Sequence, residues 1–138
     1  MLLDTHVWIW AAVDERRRLG PKTRRLLARA AEAGDLYVST MSAFEIAALH
    51  TAGRLSLNQT VDGWIRESMA RGRLRVMDIS TAVAIDAGAM PSLALPDPID
   101  RLLVASARHA DLPLVTRDRA ILEYAKRTQL VRVTDASH

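Results

Sequence analysis

The sequence has no cysteine. That excludes a disulfide scaffold, a zinc ribbon and a thiol nucleophile, and leaves only oxygen or imidazole ligands for any metal. Glycine and proline are sparse, 6 and 5 in 138 residues, far below the share in disordered or collagen-like chains. No stretch approaches the roughly 18 uninterrupted apolar residues needed to span a bilayer. The opening MLLDTH has no basic stretch ahead of its apolar run, so no secretory leader is expected, and the cytosol is the expected compartment. Lysine is nearly missing as well: Lys22 and Lys126 are the only two, and every other basic residue of the 19 is arginine. What remains is an ordinary globular composition, 49% hydrophobic and 25% charged, in a length that suits one domain, residues 1–138. The net charge is +3. Arginine's planar fork suits bidentate phosphate contacts, although a GC-rich coding sequence leaves the same bias.

Short apolar segments alternate with helical patterns, and no internal repeat or linker interrupts them. Strands are expected at Met1–Leu3, Leu36–Ser39, Leu74–Ile79, Leu114–Thr116 and Leu130–Val133. Helices are expected from Val7 to Ala12, from Pro21 to Ala33 with Gly34 as the stop, from Ser42 to Ala52, from Thr60 to Arg71, from Thr81 to Met90, from about Asp97 to Ala110, and from Arg119 to Arg127. The alternation predicts an α/β fold with a four- to five-stranded, mainly parallel sheet and helices on both faces.

In such a sheet every strand-to-helix junction lies on one edge, where these folds bind ligands. Asp4 ends the first strand, Glu45 opens the helix after the second, Asp118 follows the fourth, and Asp97 and Asp100 open the helix leading into the fourth. Most of these acids have a local explanation. Ser42-Ala43-Phe44-Glu45 fits a capping box. Asp97-Pro98-Ile99-Asp100 fits a helix start with aspartate at the N-cap and proline next. Asp118 gains about 0.3–1 kcal/mol from a helix dipole. Asp4, in an Asp-Thr-His turn after a buried strand, lacks such an explanation. Together the acids pose a problem, because two carboxylates about 4 Å apart repel by roughly 4 kcal/mol at an effective dielectric near 20, more than dipoles offset. A hard divalent cation, Mg²⁺ or Mn²⁺, resolves it.

LLDTHVWIW at the N-terminus, SAFEIA at 42–47, PDPIDRLLVASA at 96–107 and LPLVTRDRAI at 112–121 resemble, in order, the motif regions of PIN-domain ribonucleases, most closely the VapC-type toxins of toxin–antitoxin pairs. The resemblance implies a three-layer PIN-like domain and a metal-dependent endoribonuclease, with Mg²⁺ or Mn²⁺ as cofactor and RNA as substrate. It also implies a VapB-type antitoxin and a homodimer as partners. The family's catalytic acids fall on Asp4, Glu45, Asp100 and Asp118. Within that scheme Asp4 and Asp100 ligate the metal directly, Glu45 and Asp118 act through water or at a second ion, and Thr116 positions a water. Asp97 is read mainly as a helix cap, and otherwise as a residue that supports the metal site from behind its ligands or positions a water.

Arg117 and Arg119, on either side of an acid, are the candidates for RNA phosphate contacts. Arg16–Arg18, Arg24 with Arg25, and Arg71, Arg73 and Arg75 read as solvated faces. His6 reads as a packed or capping imidazole, and Trp8, Trp10 and Trp64 as core or interface. The helices carrying Phe44, Ile46, Leu49, Trp64, Ile65 and Met69 have more apolar surface than one core face needs, which predicts a groove for a partner. The rival readings are a receiver-like signalling domain, which calls for a second acid at the first strand and a lysine after the last, a haloacid-type phosphatase, which calls for aspartate where His6 stands, and a non-catalytic interaction module of the same fold.

Overall fold

The computed structural model describes residues 1–13 and 15–138, with Arg16 described by its backbone alone. The described strands are β1 (Leu2–Leu3), β2 (Tyr37–Ser39), β3 (Arg75–Met77), β4 (Leu114–Thr116) and β5 (Val133–Asp135). Between them run the helices α1 (Thr5–Ala12), α2 (Pro21–Ala33), α3 (Thr40–Thr51), α4 (Val61–Gly72), α5 (Thr81–Ala89), α6 (Pro98–His109) and α7 (Arg119–Thr128), with a 3₁₀ turn at Arg16–Arg18. The strands form one sheet in the order β3-β2-β1-β4-β5, and every neighbouring pair is parallel. The expected α/β class, the parallel sheet and its helical layers are therefore all present.

Side chains in a strand alternate between faces, and two short strands show how this sets the layers. Leu2 pairs with Leu114, and Leu3 with Val115. Leu2 and Leu114 enter a core with Val83, Leu103 and Ile121, under α5, α6 and α7. Leu3 and Val115 enter a second core with Val7, Trp8, Leu27, Ile46 and Trp64, under α1 to α4. Burying each such side chain completely stabilises the fold by about 1.5–3 kcal/mol. A two-residue β1 keeps its central place through these contacts and two ladders, not through its length.

Local signals act as expected at α2, where proline occupies the first turn and Gly34, at φ 73, closes the helix in the left-handed conformation. Two expectations need correction. Ser42 does not cap its helix: α3 starts at Thr40, and the N-cap is Ser39, whose hydroxyl accepts from the Met41 amide. Ser42 lies inside the first turn and accepts a hydrogen bond from Thr5 at 2.9 Å. The last strand lies at Val133–Asp135, not 130–133. Helix α7 continues to Thr128 and ends with Gln129 at φ 55, so the chain must still turn, burying Val131 on the way, before Val133 comes opposite Leu114.

Beyond β5 the chain crosses the start of α2. The Gly20 amide donates to the Ala136 carbonyl and the Thr23 amide to that of His138, both at 2.9 Å. The approach is so close that a Cβ on Gly20 would lie 2.1 Å from the His138 backbone.

Candidate active site

From β1 the chain proceeds to β2 on one side of the sheet, while β4 lies on the other, so the strand order reverses at the β1/β4 pair. The carboxyl end of that pair is where an open parallel sheet forms its ligand crevice. Asp4 follows β1, and Thr116 and Asp118 end and follow β4.

Asp4 is the N-cap of α1, yet its side chain makes no capping hydrogen bond. Its amide is fixed on the Val115 carbonyl at 3.0 Å, and the residue is only 7% exposed. The Thr116 hydroxyl donates to Asp4 Oδ2 at 2.6 Å and accepts from the Asp118 amide at 2.9 Å. With that proton committed, Thr116 orients the Asp4 carboxylate. Asp118 caps α7, its Oδ1 accepting from the Ile121 amide. Asp97 caps α6 as expected, accepting from the Ile99 amide at 2.9 Å. Asp100, half-buried, lies in the first turn of α6, and Glu45, also half-buried, in the second turn of α3.

The electrostatics show that these acids share one field. Burial raises the Asp4 carboxyl above the ordinary carboxylate range; the Thr116 hydrogen bond and His6 oppose this, while the charges of Glu45 and Asp118 add to it. Asp100 is pushed up to about 7, first by burial and then by Asp97, Asp118, Asp4 and Glu45 in turn. Among the described residues none of the five takes part in an ion pair. The fold thus brings together Asp4, Glu45, Asp97, Asp100 and Asp118 with no ion pair to them among the described residues. Hard oxygen donors held at a cost in repulsion suit a divalent cation. Among the described residues no three acidic or imidazole side chains close tightly enough on one point to grip an ion together. These carboxylates are the groups that would hold such an ion.

The other residues singled out in the sequence fall in different places. His6 is exposed, its ring tilted against that of Trp10 with the centroids 5.8 Å apart. Trp8 and Trp64 are core, at 1% and 6% exposure, and Trp8 donates to the buried Ser68 hydroxyl. Arg117 and Arg119 are both exposed, but only Arg117 faces a pocket with other arginines. The contact between Thr5 and Ser42 is not marked in the sequence. Their buried hydrogen bond ties α1 to α3 and so relates Asp4 to Glu45. No local pattern marks a pair 37 residues apart.

The PIN domain family matches the chain over residues 1–127. Ribonuclease VapC22 of Mycobacterium tuberculosis (strain ATCC 25618 / H37Rv) is 35% identical over 121 residues, 88% of each chain. Three solved structures share the fold at lower identity. A chain of VapBC2 from Rickettsia felis, bound to a DNA fragment from their promoter, superimposes with a TM-score of 0.68 at 15% identity over 96% of both chains. One from a toxin–antitoxin complex of Klebsiella pneumoniae gives 0.60 at 18%, over 99% of this chain and 98% of the other. One from FitAcB of Neisseria gonorrhoeae gives 0.57 at 22%, over 98% and 96%.

Proposed function

Because this chain belongs to the PIN-domain family, and within it to the VapC type, we propose that it is a metal-dependent endoribonuclease, the toxin of a VapBC-type toxin–antitoxin pair. The observation that carries the reading is the set of five acids, without ion pairs among the described residues, at the β1/β4 crevice, with Asp100 pushed up to about 7 by burial and by the charges of its neighbours. Family membership also removes the receiver and haloacid-phosphatase alternatives.

Asp4 and Asp100 would hold a Mg²⁺ or Mn²⁺ ion, with Glu45 and Asp118 acting through water or at a second ion. When bound, the ion lowers the pKa of water and neutralises charge gathering on a phosphodiester. The protein's own part is positional. Thr116 fixes the Asp4 oxygen it touches and, through the Asp118 amide, the turn that carries Asp118. The Thr5–Ser42 bond keeps the helix bearing Glu45 beside the start of α1. Asp97 stays with the α6 cap, where it raises the charge felt by Asp100. Hydrolysis by an activated water would leave 3′-hydroxyl and 5′-phosphate ends.

A VapB-type antitoxin is the proposed partner, supported by structural neighbours that are themselves toxin–antitoxin assemblies. The groove expected on α3 and α4, where Phe44 is 61% exposed, would extend onto α1 and α2. A cavity of about 720 Å³ opens between α1, α2 and α4, with Trp8, Leu27, Ala31, Trp64 and Leu74 in its wall, while Ile46 of α3 is fully buried. A homodimer belongs to the same reading; Ile85 and Leu93, 68% and 97% exposed, leave apolar side chains on the surface around α5.

The test is incubation of the purified protein with labelled structured RNAs in Mg²⁺ or in EDTA. Cleavage in Mg²⁺ that EDTA abolishes, giving 5′-phosphate products, is expected. Intact RNA under both conditions would leave a binding module of the same fold.

A further inference from the structure

We propose that the pocket walled by Arg17, Arg18, Arg24 and Arg117 seats a backbone phosphate of the RNA other than the one that is cut. The proposal rests on the nuclease reading above. The pocket has a volume of about 420 Å³ and also includes Ser137. Its arginines come from three places: the 3₁₀ turn, the first turns of α2, and the junction after β4.

Four guanidiniums around one opening repel one another as the acids do, and nearby carboxylates answer only part of their charge. Glu15 pairs with Arg18 at 2.5 Å. Asp135 feels the charge of Arg117 but accepts hydrogen bonds from the Ser137 amide and hydroxyl at 2.9 and 2.6 Å. Among the described residues Arg17 and Arg24 take part in no ion pair. The start of α2 offers little to an anion by itself, because the Gly20 and Thr23 amides already donate to Ala136 and His138. Binding would therefore come from the guanidinium forks, which match a phosphate two oxygens at a time.

Two of these forks are held in advance. The indole of Trp10 lies under the Arg18 and Arg117 guanidiniums, 5.5 and 5.7 Å from its centroid, and Arg117 donates to the Arg18 carbonyl at 2.9 Å. A side chain ordered before binding loses less entropy on contact. The location gives the pocket its role. Arg117 sits between Thr116, which clamps Asp4, and Asp118. A polyanion crossing an acidic crevice needs positive charge beside it, and this pocket supplies that charge one residue away along the chain. Trp10 is then a positioning residue for the two arginines.

The experiment measures binding, without metal or turnover, by placing each change in an Asp100→Asn background in EDTA and titrating a labelled single-stranded RNA that the wild type cuts. Arg24→Gln and, separately, Arg17→Gln should each weaken binding several-fold. Each should also flatten the dependence of log affinity on log salt by about 0.7 per lost phosphate contact. Arg127→Gln, exposed on α7, should change neither, and unchanged thermal unfolding excludes a folding defect. If both pocket variants match Arg127→Gln while wild type still cuts the RNA, the pocket proposal falls and the nuclease reading stands. If wild type neither cuts nor binds RNA, both fall. Competition by millimolar inorganic phosphate without a change in the RNA salt slope marks a free-anion site. Loss of affinity for an acidic peptide alone marks a protein contact. Either result overturns the proposal.

Discussion

The carboxylate crevice and the arginine pocket meet at Arg117, yet they hold their charges in opposite ways. The acids stand at strand ends and in early helical turns, Asp4 buried, Glu45 and Asp100 half-buried and Asp97 and Asp118 exposed, and burial together with the neighbouring charges raises both Asp4 and Asp100. The arginines are exposed, so water screens their repulsion and the long side chains can separate. The contrast shows where the fold accepts destabilisation. Burial concentrates negative charge to the point where an ion is the natural remedy, whereas the positive region accumulates at almost no cost to folding.

The largest effect that would sharpen this contrast is on catalysis. Asp4→Asn and Asp100→Asn should each lower RNA cleavage by more than about 100-fold, beyond the usual loss when only a partner of a metal ligand is removed. Their thermal midpoints should equal or exceed that of wild type, since each change removes a charge from a repelling set. Initial rates alongside thermal unfolding check both halves, and wild-type activity in either variant would break the site assignment.

Next in size is the response of metal-free stability to pH. Asp100 titrates near 7 in the folded chain against 3.8 for the ordinary group, so between those values the folded state holds the proton more firmly than the unfolded state. Stability should therefore fall as pH rises from about 4 through 7 and stay low above that. Thermal midpoints across pH 5 to 8 should show the decline in EDTA and a shallower one in Asp100→Asn. A profile identical in both proteins would mean that the field at Asp100 is not what the fold carries.

The smallest expected effect belongs to the other side of the comparison. Arg18→Gln removes an exposed pair with Glu15 and should change unfolding free energy by less than about 1 kcal/mol. Denaturant titration measures it, and a loss of several kcal/mol would show that the arginine pocket is structural.

Much of this could be read along the chain wherever a local rule decides the outcome. Pro21 and Gly34 bracket α2, and Asp97 with Pro98 starts α6, because a cap or a left-handed residue acts within one turn. The acids were legible for a related reason: in a parallel sheet the ends of strands share an edge, so residues scattered along the chain become neighbours by topology. Ser42 misled because its spacing to Glu45 satisfies a capping pattern, but β2 delivers the chain to α3 early enough for Ser39 to cap it. The last strand was misplaced because apolar Leu130 and Val131 looked like its start, whereas its register is set by β4.

By itself, then, the sequence determined the α/β layering, the ends of α2, the start of α6 and the place of Asp4 and Asp118 at strand ends, since periodicity, capping and strand-end position depend on near neighbours in the chain. Tertiary structure alone decided that Thr116 gives its proton to Asp4, that Thr5 meets Ser42, and that Arg17 and Arg24 share a pocket with Arg18 and Arg117, the last two over Trp10. These contacts join positions up to 112 residues apart. They arise when β4 docks beside β1 and the chain after β5 folds over α2, and no local spacing encodes how two such distant surfaces come together.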